Sequence, residues 1–316
     1  GPADHWLAPD NYQEYRCAAI AHRTSPTNIG VALLANLSAW DFAYIPSGKL
    51  LERTANTLQT MASLERYRGH FYNWYDTRTL QPLPPLYVST VDSGNLAGHL
   101  ITLQAGLRAP GADPIVPAPL LEGVSDTFAI VEAEGGIAPD RLAAFARALA
   151  GAAGSSAAAS SPSLATLRAS LANLAGLADA LVPAQGEGAG GENMQGENMQ
   201  GESARDDSAL LREARAPEGA GGEWSQALAR QCRAALDEVD FLAPWRSRAP
   251  LPAGLGAELA GEPGDGLADE SAHELADLLA HIGPDAPIPT LLELASVDVR
   301  CAAFIADRLA VAASAA

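Results

Sequence analysis

Apolar residues recur at intervals of three and four along most of this chain, and this spacing constrains the fold more than any other feature. From Pro46 to about Tyr67 it predicts one helix with charged residues left for solvent. The apolar positions of that helix are Leu50, Leu51, Thr54, Leu58, Met61 and Leu64. The pattern continues to the end of the chain. The sequence therefore predicts a mostly α-helical protein built from antiparallel helix pairs.

The helix boundaries are marked by capping residues. Ser25-Pro26 reads as an N-cap followed by proline at the first helical position, and 29–37 is apolar nearly all round, which is typical of a buried helix. Asp92 or Ser93 is expected to cap a third helix that ends at Gly106. Further helices are expected near 139–151, 163–182, 206–214, 224–242, 267–281 and 289–313, and short strands at 86–89 and 128–131.

Charge divides the chain into two parts. Residues 1–108 carry eight basic and eight acidic residues, so the whole net charge of −18 falls on 109–316. Twelve of the 18 aromatic residues lie before residue 106. We predict a motif-rich head over 1–108 and an acidic, Ala/Gly-rich helical continuation over 109–316. A twice-repeated Gly-Glu-Asn-Met-Gln unit lies in an insert, about 184–203, that is expected to be disordered.

Composition also argues against several classes of function. The acidic balance argues against nucleic-acid partners and anionic lipid. No run of about 18 apolar residues predicts insertion into a membrane, and the N-terminus does not resemble a signal peptide, so we expect a soluble chain. The three cysteines are far apart and no histidine has partners at metal-ligand spacing. The sequence therefore predicts neither a cofactor nor a metal site.

Three strings of polar and aromatic residues, at 22–30, 70–78 and 92–95, suit a ligand better than a core. Amide and charged side chains hydrogen-bond hydroxyl groups, whereas aromatic rings lie against apolar C–H faces, so the mixture indicates a carbohydrate site. The 10–14 string adds further polar groups. The predicted substrate-binding residues are Asn11, Gln13, Glu14, His22, Arg23, Asn28, Asn73, Trp74, Tyr75, Asp76, Arg78, Asp92 and Asn95.

Structural roles compete with this interpretation. Trp74 could lie in the core beside an internal pair between Asp76 and Arg78, and Asn28 could serve only to cap a helix. Glycoside chemistry needs two carboxylates flanking the scissile bond. The catalytic residues stay unassigned, with Glu14 and Asp76 as weak candidates.

The strings at 10–14, 21–30, 64–80 and 87–97 together resemble the cyclic β-1,2-glucan synthases, and more narrowly the start of their glucoamylase-like, transglycosylase domain. The resemblance covers about residues 6–108. It implies an (α/α)6 toroid in which a linear β-1,2-glucan is closed into a ring by transglycosylation. It also implies that these strings line the glucan cleft, and that the parent is a large bacterial membrane protein that polymerises glucose from a UDP-sugar.

We therefore predict a β-1,2-glucan-binding portion of such a synthase, contributing to the cyclisation cleft on the cytoplasmic side of the bacterial inner membrane. Its expected partners are a β-1,2-glucan oligosaccharide and the remaining domains of the synthase. The chain is expected to be the opening half of the toroid. Two alternatives stay open, a non-catalytic carbohydrate-binding or structural fragment and a β-1,2-glucan hydrolase.

Overall fold

The computed structural model describes residues 1–13, 19–157, 163–183, 221–243 and 288–302, without 298 and 301. The predicted mostly α-helical fold is confirmed. The predicted helices at 206–214 and 267–281 and the insert at 184–203 lie outside the described residues. The principal helices are α1 (Pro26–Asp41), α2 (Ser47–Ser63), α3 (Thr90–Gly106), α4 (Leu120–Glu134), α5 (Pro139–Ala157), α6 (Leu164–Leu181) and α7 (Gly221–Leu242). Residues 291–297 are also helical.

In the described part of the chain, six two-residue strands form three antiparallel pairs, β1–β2, β3–β6 and β4–β5. They are β1 (Tyr12–Gln13), β2 (Ala19–Ile20), β3 (Arg23–Thr24), β4 (Arg66–Tyr67), β5 (His70–Phe71) and β6 (Tyr75–Asp76). Both predicted strands are wrong. Residues 86–89 pair with no strand in the described part of the chain, and 128–131 lie inside α4. There Phe128 and Val131, three positions apart, are buried while Ile130 is exposed, which is a helical period.

The start of α1 is as predicted and the start of α3 is not. The Ser25 hydroxyl accepts a hydrogen bond from the backbone N–H of Asn28 at 3.2 Å, which caps α1. The cap of α3 is Ser89, whose hydroxyl accepts from the backbone N–H of Asp92 at 3.1 Å. The predicted caps Asp92 and Ser93 therefore lie within the first turns of α3. This shift leaves the Asp92 carboxylate available to other partners.

Each helix of the head buries one face. In α1, Ile29 and Leu33 are fully buried but Val31 is 51% exposed, so the prediction of a helix buried all round is wrong for the described residues. In α2, Leu51 and Leu58 are exposed, and the buried face includes Thr57 in their place. The apolar residues therefore cover a wider part of each helix surface than the face that is buried in the core.

Helices α1 and α3 lie parallel and in close contact. Thr27 of α1 contacts Asn95 of α3 at 3.1 Å, Gly30 packs against the His99 side chain, and Leu37 packs against Gly106. In these three contacts the residue number rises along α1 and along α3 in the same direction. The N-termini of the two helices therefore lie at the same end. Glycine at the two contact positions permits the approach, since a Cβ there would overlap the neighbouring side chain.

Helices α4 to α7 enclose a second apolar core, in which the Phe128 and Phe145 rings lie 4.7 Å apart between centroids. This core region contacts the head at the α1–α2 connection. The Glu238 carboxylate of α7 accepts hydrogen bonds from the backbone N–H groups of Ser47 at 2.9 Å and Gly48 at 2.8 Å. Pro46 is the N-cap residue of α2 and has no side chain that can accept a hydrogen bond. The Glu238 carboxylate caps the first backbone N–H groups of α2 in its place. Burial raises the pKa of Glu238, against the effect of these hydrogen bonds.

Candidate functional site

Pairing of β3 with β6 brings two of the predicted strings together. Arg23 lies opposite Asp76 and Thr24 lies opposite Tyr75 in the antiparallel register. The backbone N–H of Thr77 extends the pairing by donating to the His22 carbonyl at 3.1 Å. Strings that are about 50 residues apart in sequence therefore share one surface.

Asp10 organises the first part of this surface. Its Oδ2 accepts from the Arg23 guanidinium at 2.8 and 3.1 Å, and its Oδ1 accepts from the Asn28 amide at 3.1 Å. The hydrogen bonds from Arg23 hold the pKa of Asp10 below its usual value, against the opposing effect of burial, and Asn28 adds to them. Asp10 therefore stays ionised. Sequence reasoning did not place Asp10 among the binding residues, although it begins the 10–14 string.

The guanidinium of Arg23 also lies over the indole ring of Trp74, 4.7 Å from the ring centroid. Trp74 is partly buried rather than enclosed in the core. Such a cation–π contact fixes the orientation of the ring, because the guanidinium is also held by Asp10. The guanidinium that is paired with Asp10 is therefore stacked on one face of the indole ring.

Asn73 is buried and connects three neighbouring side chains, so we call it the Asn73 hub. With its amide oriented to satisfy its neighbours, the nitrogen donates to Asp92 Oδ2 at 2.9 Å. The amide oxygen accepts from Trp74 Nε1 at 2.8 Å and from the Tyr87 hydroxyl at 2.7 Å. Both polar atoms of this side chain therefore have partners. The partners are Trp74 of the second string, Asp92 of the third string and Tyr87 of the segment 86–88.

Asp92 lies where the N-termini of α1 and α3 meet. Burial acts to raise the pKa of Asp92, but hydrogen bonds from Ser89, Thr27 and Ser25 outweigh it, and the net pKa is lowered. The positive ends of two helix dipoles favour the ionised form in the same way. One carboxylate thus joins the first turns of two parallel helices.

These contacts form one connected group, which we call the polar cluster. It runs from Asp10 through the Arg23–Trp74 pair and the Asn73 hub to Asp92, and ends at the contact between Thr27 and Asn95. Its members are Asp10, Arg23, Thr27, Asn28, Asn73, Trp74, Asp92 and Asn95.

Other predicted residues lie apart from the polar cluster. Tyr75 is completely buried, and its hydroxyl donates to the Glu65 carbonyl and accepts from the Tyr72 N–H, each at 2.7 Å. Asp76 accepts from the backbone N–H groups of Arg78 at 2.9 Å and Thr79 at 2.8 Å, which closes a turn. The hydrogen bond from Thr79 lowers the pKa of Asp76, against a smaller effect of burial.

His22 belongs to a separate contact. Its Nδ1 lies 2.7 Å from Asp4 Oδ1, which also accepts from the Thr77 hydroxyl at 2.5 Å. The hydrogen bond from Thr77 lowers the pKa of Asp4, followed in size by the one from His22. This group fastens the N-terminal residues to the turn that follows β6.

The remaining predicted residues lie at the edge of the head. Asn11 and Gln13 are exposed on the β1–β2 hairpin, and the Asn11 amide donates to Asp10 at 3.2 Å. Arg78 is exposed on the turn after β6. Glu14 lies outside the described residues. Within the described ranges no three His, Cys, Asp or Glu side chains are grouped as metal ligands.

Comparison with known proteins adds evidence on the family. No family model matches the chain. Over 129 residues, however, it is 45% identical to the cyclic β-(1,2)-glucan synthase NdvB of Rhizobium meliloti (strain 1021). Over this stretch the chain is similar to a cyclic β-(1,2)-glucan synthase. The match takes in 40% of this chain and 5% of the length of that synthase, so the chain spans a small part of its relative.

The predicted resemblance to these synthases is thereby confirmed over the matched residues. The narrower assignment to the glucoamylase-like domain stays a prediction. None of the helices in the described ranges has the length and hydropathy needed to cross a membrane.

Proposed function

We propose that this chain supplies a β-1,2-glucan-binding surface of a cyclic β-1,2-glucan synthase and contributes to its cyclisation cleft. The carrying observation is the 45% identity to such a synthase. The polar cluster supports it, because it combines a flat indole ring with ionised carboxylates, a guanidinium and amides. Those are the groups that bind the C–H faces and the hydroxyl groups of a sugar.

The helix arrangement supports placing the chain in an (α/α)6 toroid. In that architecture inner helices run parallel to one another and each is followed by an outer helix that runs back. Here α1 and α3 are parallel, and α2 follows α1 after the short connection 42–46. We propose that the polar cluster, at the shared N-terminal end of α1 and α3, faces the glucan cleft.

The division into a head over 1–108 and a continuation over 109–316 also becomes a proposal. The core that contains Leu33 and Tyr75 draws its buried residues from positions 7 to 103, whereas the core that contains Phe145 draws them from 124 to 232. Within the parent synthase we place both on the cytoplasmic side of the bacterial inner membrane, beside the remaining domains.

Replacing Trp74 with alanine is expected to weaken binding of a linear β-1,2-glucan oligosaccharide by about 1–3 kcal/mol, because one aromatic platform is lost. The matched control is Trp224→Ala, since Trp224 is 40% exposed on α7, away from the polar cluster. Titration calorimetry measures the affinity and thermal melting measures the stability. Unchanged affinity together with a lowered melting temperature would assign Trp74 to the core instead.

The chain by itself is expected to bind the glucan without cutting or cyclising it. Glycoside chemistry needs one carboxylic acid that is protonated before the bond breaks. Asp4, Asp10, Asp76 and Asp92 of the head all have lowered pKa values because they accept hydrogen bonds, so at neutral pH they are ionised. Burial raises the pKa of Glu238, but that carboxyl is bound to the start of α2 and not to the polar cluster. Mass spectrometry of the glucan after incubation with the 316-residue chain should show only the starting lengths.

Shortened or ring-closed products would contradict that expectation and would favour a hydrolase or a complete transglycosylase. The first residues to replace would then be Glu14 and Asp76, the two weak catalytic candidates. Loss of products in Glu14→Gln but not in Asp76→Asn would assign the acid to the 10–14 string.

A further inference from the structure

A pocket of about 450 Å³ opens beside the polar cluster, and its lining includes Tyr87, which contacts the Asn73 amide. It lies between the β4–β5 hairpin and the segment 86–88. Its lining consists of Tyr67, His70, Tyr72, Leu86, Tyr87 and Val88.

The hairpin provides one wall. Tyr67 pairs with His70 directly before and after the turn, and the turn residues Arg68 and Gly69 adopt positive φ angles of 50° and 88°. Two successive residues with positive φ suit the tight turn of a two-residue hairpin. The hairpin thus holds a phenol and an imidazole next to each other at its tip.

The segment 86–88 provides the opposite wall. The backbone N–H of Asn73 donates to the Tyr87 carbonyl at 2.9 Å, which ties this segment to the second string. The Tyr72 ring packs edge-on against the buried Tyr75 ring, with centroids 6.5 Å apart. The pocket is therefore built from fixed elements rather than from a free loop.

The pocket and the polar cluster share one hub. The Tyr87 hydroxyl and Trp74 Nε1 both donate to the amide oxygen of Asn73. Tyr87 remains 45% exposed, and Tyr67 is 50% exposed. A ligand that lies against Trp74 would therefore have the Tyr87 ring nearby, on the other side of the Asn73 amide.

The chemistry of the lining selects a class of ligand. None of its six lining residues carries a carboxylate, guanidinium or ammonium group, although the Arg68 guanidinium lies over the Tyr67 ring, 5.4 Å from its centroid. A lining without a carboxylate or an ammonium group suits an uncharged molecule. Three phenols and one imidazole offer hydrogen bonds at their tips and flat apolar rings, while Leu86 and Val88 add apolar surface. A pyranose ring has the same combination of hydroxyl rim and apolar faces, and the volume lies in the range of small-molecule sites.

We propose that this pocket binds one further glucosyl unit of the oligosaccharide that lies on the polar cluster. The proposal rests on the proposed function, since it extends the same binding surface by one position. In this arrangement Tyr67 and His70 contact the sugar directly, although in the described contacts they touch no member of the polar cluster.

The test compares Tyr67→Ala with the unchanged protein on linear β-1,2-glucan oligosaccharides of increasing length, by titration calorimetry. We expect roughly tenfold weaker binding for oligosaccharides long enough to reach both surfaces, from loss of one sugar–aromatic contact. The shortest oligosaccharides that bind the polar cluster should keep their affinity. Phe241→Ala is the control, because Phe241 is an 81% exposed aromatic on α7.

Each outcome separates the two proposals. If the unchanged protein binds no glucan of any length, the proposed function fails and this inference fails with it. If Trp74→Ala weakens binding while Tyr67→Ala leaves every length unaffected, only the pocket is overturned. His70→Ala serves as the second variant, because His70 is exposed and its removal tests the same wall if Tyr67→Ala lowers the melting temperature.

Discussion

Replacing Gly123 with alanine should destabilise the protein by about 3 kcal/mol, the largest effect that we expect from adding a single methyl group. Gly123 lies in α4 against the end of α1. A Cβ at this position would overlap the carbonyl oxygen of Phe42 and lie 3.0 Å from the carbonyl oxygen of Ala43. Both neighbours are backbone atoms, so neither can move aside by changing a rotamer.

The same turn is also held from α7. The amide nitrogen of Gln231 donates to the Ala43 carbonyl at 3.1 Å, and Thr127 donates to Gln231 at 2.7 Å. Displacing α4 would therefore strain a buried hydrogen-bonded group as well as the packing. Alanine at Gly123 should loosen the contact between the head and the α4–α7 region first.

Urea unfolding followed by circular dichroism measures the effect. The matched control is Gly176→Ala in α6, where an added Cβ would meet no atom within 4 Å. That variant should be stabilised by about 0.5–1 kcal/mol, since alanine is the better helix former. Equal stability changes in the two variants would show that α4 does not pack closely on the α1–α2 connection.

Replacing Asn73 with aspartate should destabilise the protein at neutral pH by about 3 kcal/mol and much less near pH 4. The Asn73 amide donates to the Asp92 carboxylate at 2.9 Å, so the variant places two carboxylates side by side. A buried like-charge pair raises the pKa of one member. As the pH falls, that carboxyl takes up a proton, the repulsion ends, and its hydroxyl can donate in place of the lost amide.

The unchanged protein should instead lose stability in acid. The folded-state pKa of Asp92 is lowered, so its stabilising contribution is present above the unfolded-state pKa and is lost as the pH falls through the folded-state value. The difference in unfolding free energy between variant and unchanged protein should therefore shrink on acidification.

Two further variants make this measurement decisive. Asn73→Ala removes the hub without adding charge, so its penalty, about 1–3 kcal/mol, should not ease in acid to the same degree. Asn11→Asp adds a carboxylate beside Asp10 on an exposed hairpin, where we expect a change within about 0.5 kcal/mol. A penalty for Asn73→Asp that is the same at pH 4 and pH 7 would mean that Asn73 does not lie against Asp92.

Local signals in the sequence determined the helical class and several boundaries. Ser25-Pro26 marks the start of α1 because a side-chain acceptor and a preset φ angle act within a few residues. The strings that carry the family resemblance were likewise visible without a structure, since residue identity is itself the signal. The match to a synthase confirms that resemblance over 129 residues.

Only the tertiary structure decided which of the predicted residues lie together. Tyr75 and Trp74 are adjacent in sequence, yet Tyr75 is buried and Trp74 joins the polar cluster. Neither the role of Asp10 nor the joining of Tyr87 to Asn73 followed from the sequence. Capping and periodicity act within one or two helical turns and can be predicted from neighbouring residues. Contacts across 14 or more positions depend instead on how whole helices and hairpins pack.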